Sequence, residues 1–336
     1  MISVSDIAEE LERRELQIRQ NLLAGNPMYL KPDPALGWTV KANSRHHSLP
    51  YESDDDGFRA TPNVTAPGGR NDLLFLGDSL VHGDEVSNAE CWTAQVAQLT
   101  QRHVSNAAVP GYGTDQAVIR YESMDTQRSE TVYLGLPTCD VDRNVNVLRL
   151  HRSIKTAIPF MKPRYVIDGQ GELRLVIPPF GGMEDLKAHY LTQEVQQFLM
   201  DYDFYHPTRR ATAPRWRGFC DRMCHRLRVS PRFGTDPYEA GIATTLAIVR
   251  HFHLLASKRG SRGVVLLLPT QGERPARLNA LARALHTMKI PFHDVREAFE
   301  GRDVNGSGPY DIWRRAGHYG PVASRWVAEY LAERIA

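Results

Sequence analysis

The stretch Leu73-Leu74-Phe75-Leu76-Gly77-Asp78-Ser79-Leu80-Val81-His82-Gly83 decides how the rest of this chain is read. Four apolar residues predict a buried strand, and Gly77-Asp78-Ser79 predicts a turn at its end. In an open parallel sheet, ligands collect at the carboxyl ends of strands. A serine there presents its hydroxyl and its own backbone N–H to one crevice, as an acyl-transfer nucleophile requires. Taken alone the tripeptide is common, and a strand-end turn with a capping serine explains it as well. Two further segments separate the readings.

The first is Val104-Ser105-Asn106-Ala107-Ala108-Val109-Pro110-Gly111-Tyr112-Gly113-Thr114, a short strand, a glycine-punctuated loop and a helix beginning near Thr114. Glycines there let the backbone approach a ligand and turn an N–H toward it. The second is Ala316-Gly317-His318-Tyr319-Gly320-Pro321, followed by an apolar-periodic helix. Pro321 suits the first helical turn, which leaves His318 in the loop just ahead of it. Serine early, glycine loop in the middle and histidine before the last helix: this order resembles the SGNH/GDSL hydrolase family, over roughly residues 33–150 and 260–336. The arm from Asp33 to Lys41 and Asp56-Gly57-Phe58-Arg59 looks like the lead-in of many bacterial members. It is read as packed across the sheet edge, with Trp38 and Phe58 as anchors.

The resemblance implies that Ser79 is the nucleophile, Gly111 an oxyanion-hole glycine and His318 the general base. It also implies a substrate crevice lined by Asp78, His82, Tyr112, Cys139, Asp140 and Arg315, although Asp78 reads equally as a turn brace and His82 as a capping residue. Two positions depart from the family. Its oxyanion asparagine is replaced by the Cys139-Asp140 pair, and a thiol is a weak donor beside an amide. Losing one such donor costs about 3 kcal/mol of transition-state stabilisation. Either Asn144 or Asn146 substitutes, or two backbone donors remain. The family's aspartate before the histidine is Arg315, which cannot accept the imidazole N–H. The orienting group is then Asp311, Asp303 or a backbone carbonyl.

Composition bounds the alternatives. The chain has 336 residues, 42% hydrophobic and 24% charged, with a formal net charge of +2. That is ordinary for a globular protein and gives no global pull toward nucleic acid or an anionic membrane. Four cysteines and an acidic, non-apolar N-terminal segment predict neither a disulfide scaffold nor a secretory leader, and the expected compartment is the cytoplasm. No cofactor and no metal are called for. The apolar spacing of Ile7, Leu11, Leu16, Ile18, Leu22 and Leu23 predicts a helix capped near Ser5-Asp6, either docked on its own chain or pairing with a second copy.

Strands predicted at 73–77, 103–107, 131–136, 263–268 and 290–294 alternate with helices near 88–101, 114–127, 272–288 and 321–335. Such alternation implies an α/β fold: a three-layer, flavodoxin-like sandwich around a parallel five-stranded sheet. The expected organisation is an N-terminal helix and arm (1–70), a first catalytic part (71–150), a mostly helical insertion or cap (151–258) and a last catalytic part (259–336). In the insertion, 165–177 reads as a hairpin, 185–204 as a helix and 237–258 as a long helix. Between His206 and Arg232 lie eight arginines against one acid, Asp221. They form either a solvated face or a cap over the crevice that recognises an anionic group: a phosphate, a carboxylate, or the phosphopantetheine arm and acidic surface of an acyl carrier protein. Cys220 and Cys224 lack a second ligand pair and read as small hydrophobes.

The expectation is therefore a serine-dependent esterase or acyltransferase, acting on an ester or thioester of a carbohydrate or secondary metabolite through an acyl-serine. The alternative is a chain that kept the fold, lost catalysis and binds an anionic acylated ligand or carrier protein.

Overall fold

The computed structural model describes residues 2–25, 28–61, 73–124, 129–180, 182–211, 236–304, 308 and 310–335. Most of the arginine-rich stretch, with Cys220 and Cys224, lies outside them. The chain divides into two compact units. One comprises Met1–Pro27, Pro32–Trp38 and Val141–Thr245; the other comprises Met28–Lys31, Thr39–Asp140 and Leu246–Ala336.

The second unit holds a five-stranded sheet: β1 (Leu73–Leu76), β2 (Val104–Asn106), β3 (Thr131–Pro137), β4 (Arg262–Leu268) and β5 (Phe292–Asp294). Its order is β2-β1-β3-β4-β5 and every pairing is parallel. This is the flavodoxin-like doubly wound order, whose direction reverses at β1 and β3. The strands read as unbroken apolar runs because helices cover both faces. On one face Leu73, Phe75, Val264, Leu266 and Leu268 pack with Trp92, Val96, Val327 and Leu331. These last come from α2 (Trp92–Thr100) and from the final helix, α5 (Pro321–Ile335). Successive strand residues point to opposite faces, so Leu74, Leu76, Val265 and Leu267 face the other layer. Helices α3 (Thr114–Ser123) and α4 (Pro275–Thr287) belong to this unit as well.

The arm ending at Arg59 does reach the sheet edge: Arg59 N–H donates to Asn106 O on edge strand β2 at 2.9 Å. Phe58 is buried beneath the Arg120 guanidinium, 5.4 Å from its ring centroid. Trp38 is buried in the first unit, against Phe160.

In the first unit, helix α1 (Val4–Leu23) is capped by Ser3, whose hydroxyl accepts Asp6 N–H, while Asp6 accepts Ser3 N–H in return. The cap is thus two residues earlier than expected. The helix is docked, with Ile7 and Leu11 buried and Lys187 donating to Glu15 at 2.7 Å. The hairpin pairs Arg164–Ile167 antiparallel with Leu173–Val176. The helix expected over 185–204 is two, Met183–His189 and Gln193–Tyr202, because Thr192 caps the second. Asp203 ties this unit together: it accepts from the backbone of Val147, Leu148 and Tyr205 and from the His151 ring at 3.1 Å. No helix of the described residues is long and apolar enough to cross a membrane.

Candidate active site

Ser79 opens a one-turn helix, Ser79–His82, directly after β1. Asp78 is its N-cap: the carboxylate accepts Leu80 N–H at 2.9 Å, which stops the strand and fixes the turn. Gly77 is required by close approach, since a Cβ there would lie 2.5 Å from Val81 Cγ2. Asp78 is therefore the buried turn brace.

His318 sits on the loop before α5. That loop is closed on itself by Arg314 N–H to His318 O at 2.7 Å and Gly320 N–H to Ile312 O at 2.8 Å. The Tyr319 hydroxyl pins it to the sheet through Pro269 O at the end of β4, at 2.8 Å. From there His318 Nε2 lies 2.9 Å from Ser79 Oγ, and Nδ1 lies 2.7 Å from Glu85 Oε2. A carboxylate only accepts, so Nδ1 donates to Glu85 and Nε2 is left to accept the serine proton. Glu85 is further held by Ala316 N–H at 3.2 Å. The histidine and glutamate side chains keep 16% and 20% of their surface exposed, so the relay opens to solvent at one edge.

The carboxylate at Nδ1 is thus Glu85, in place of the expected Asp311 or Asp303. Asp311 turns away: its carboxylate accepts Gly308 N–H at 2.9 Å and its carbonyl accepts Val322 N–H at the start of α5. Nearness to the histidine in sequence was the misleading signal. Glu85 comes instead from the turn just beyond the serine helix, where its own φ is +67°. The only sequence hint was the acidic pair Asp84-Glu85 close behind Ser79.

Gly111 has φ +80°, a conformation that favours glycine, and lies on a loop that continues β2 beside β1. Ala107 N–H donates to Phe75 O and Val109 N–H to Gly77 O, at 2.9 and 3.1 Å. Asn144 belongs to the other unit, where its side-chain amide donates to Thr245 Oγ1 at 2.8 Å. The Asn146 amide likewise donates to Leu148 O and Asp203.

Among residues expected to line the crevice, His82, Tyr112 and Asp140 are fully buried, while Cys139 is half-buried. Arg315 is exposed and stacks over Tyr310, 5.3 Å from the ring centroid. Asp78, Cys139 and Asp140 bring one ligand-type atom each within 4.8 Å of one another, and Asp140 takes a hydrogen bond from the Thr114 hydroxyl at 3.4 Å. His82 is engaged on both ring nitrogens, by Asp84 at 2.6 Å and by the Tyr29 hydroxyl at 3.3 Å. Burial holds the His82 pKa below its ordinary value despite that carboxylate. Burial also penalises the Asp84 anion, but the His82 hydrogen bond, with the nearby Arg59 cation, outweighs this and holds its pKa low.

No family model matches this chain, and no curated protein matches it. Solved structures do. One is described as a lipolytic protein of the G-D-S-L family from Desulfitobacterium hafniense DCB-2, 10% identical with a TM-score of 0.40, covering 79% of this chain and 99% of that one. Another is TesA, 13% identical with a TM-score of 0.39, covering 78% and 97%. A third is an acetyl xylan esterase from the rumen bacterium Butyrivibrio proteoclasticus, 10% identical with a TM-score of 0.36, covering 82% and 66%.

Proposed function

We propose that this chain is a serine esterase or acyltransferase of the SGNH/GDSL type, with Ser79, His318 and Glu85 as its catalytic relay. The single observation that carries this reading is the continuous hydrogen-bonded path from Ser79 Oγ through the imidazole to Glu85 Oε2. Ser79 attacks an ester or thioester carbonyl while His318 Nε2 takes its proton. Glu85 orients the ring and stabilises the imidazolium that forms. The N–H groups of Ser79 and Gly111 receive the developing oxyanion. His318 then returns the proton to the leaving group, and an acyl-serine remains. Water entering next gives hydrolysis; a hydroxyl of a sugar or alcohol gives transfer. The substrate class that the family resemblance implies is an acyl ester of a carbohydrate or secondary metabolite.

A fluorophosphonate probe tests the nucleophile. It is expected to label the wild-type protein and not Ser79→Ala, and His318→Ala should lower turnover of a short acyl ester about a thousandfold. Equal silence of both proteins toward the probe would favour the non-catalytic binding alternative.

A further inference from the structure

We propose that Arg59 is a positioning residue whose buried guanidinium holds the Glu85 turn in its working geometry. The inference rests on the catalytic relay argued above. Arg59 is only 1% exposed. Its Nη1 donates to Gly83 O at 3.2 Å and its Nη2 to Val86 O at 2.7 Å, so one rigid fork grips both ends of the Asp84-Glu85 pair. Between those two carbonyls the chain takes the left-handed conformation at Glu85. A non-glycine residue held there is strained and persists only where surrounding contacts impose it.

The fork is itself fixed from two sides. Its guanidinium lies 4.3 Å over the Tyr51 ring, and its backbone N–H is paired to Asn106 on β2. The sheet edge therefore sets where Arg59 is, and Arg59 sets where the turn is. Asp84, inside the gripped turn, is anchored on His82, the last residue of the serine helix. Turn and helix are thereby locked to each other, and the Glu85 carboxylate is delivered to Nδ1 of His318. A lysine could keep the charge at position 59 but has no planar fork to span two carbonyls.

The test is steady-state kinetics of Arg59→Lys, Glu85→Gln and the double variant on a short acyl ester. If Arg59 acts through Glu85, Arg59→Lys should lower kcat about tenfold to a hundredfold, as a small misplacement of a catalytic group does, with KM changed less than about threefold. In the Glu85→Gln background the same change should cost little more, because the interaction it supports is already gone. Losses that multiply in the double variant, or a raised KM with unchanged kcat, would overturn the proposal. Should Arg59→Lys fail to fold, Tyr51→Leu removes the ring under the fork and is read against the same criteria. Ser79→Ala retaining turnover would instead remove the relay itself, a result that the Arg59 series does not mimic.

Discussion

At the residue scale, the pairing of Ser79 with His318 was legible because a strand-end Gly-Asp-Ser and a Gly-His-Tyr-Gly-Pro loop before a helix occur together in one chain. Glu85 was not legible. Its place at the imidazole is defined by a 2.7 Å contact to Nδ1, and 233 positions of chain separate it from His318. Exchanging each candidate carboxylate separates the expectation from the geometry. Glu85→Gln keeps an acceptor for Nδ1–H but removes the charge that stabilises imidazolium, and should lower kcat roughly tenfold to a thousandfold. Asp311→Asn keeps the acceptor for Gly308 N–H and should leave kcat within about twofold of wild type. Steady-state rates on one model ester check both; the opposite ranking would return the role to Asp311.

At the scale of elements, apolar runs located all five strands to within a few residues, since a strand buried on both faces has no other composition. Helix boundaries were harder to read. The apolar period continues through Tyr190-Leu191, yet the Thr192 hydroxyl donates to His189 O and accepts Val195 N–H, ending one helix and starting another. Side-chain caps of this kind compete with the backbone pattern locally. The Asp203 centre is also invisible to periodicity, because it gathers donors from the distant 146–151 segment as well as from neighbouring Tyr205. The His151 ring extends it to the Tyr190 hydroxyl at 3.0 Å. Asp203→Ala would leave these buried donors unanswered and is expected to destabilise the protein by about 3–5 kcal/mol. The midpoint of denaturant unfolding measures this; a shift no larger than that of a surface substitution would show the centre to be dispensable.

At the scale of the whole molecule, buried imidazoles set a pH limit on stability. His82 lies in the unit with the sheet, and His206 in the other unit, where burial pushes its pKa down to about 4. His206 is held in a neutral tautomer, Nε2 donating to Gln196 and Nδ1 accepting Thr208 N–H. Both are harder to protonate when folded than when unfolded, where an imidazole titrates near 6.5, so below that pH the unfolded chain binds more protons. Stability should therefore be full above about pH 7 and fall progressively toward pH 4, and His206→Gln should flatten part of that fall. Unfolding midpoints at pH 7.5 and 5 check this; equal midpoints would contradict it. What the sequence by itself determined is the α/β class, the strand succession, the serine and the histidine, because these depend on local apolar runs, turn chemistry and helix starts. The tertiary structure alone decided the strand order, the identity of the carboxylate at His318 and the grip of Arg59 on its turn. Those depend on which distant residues the folded sheet brings within hydrogen-bonding reach, and such bonds leave no periodic trace in a linear chain.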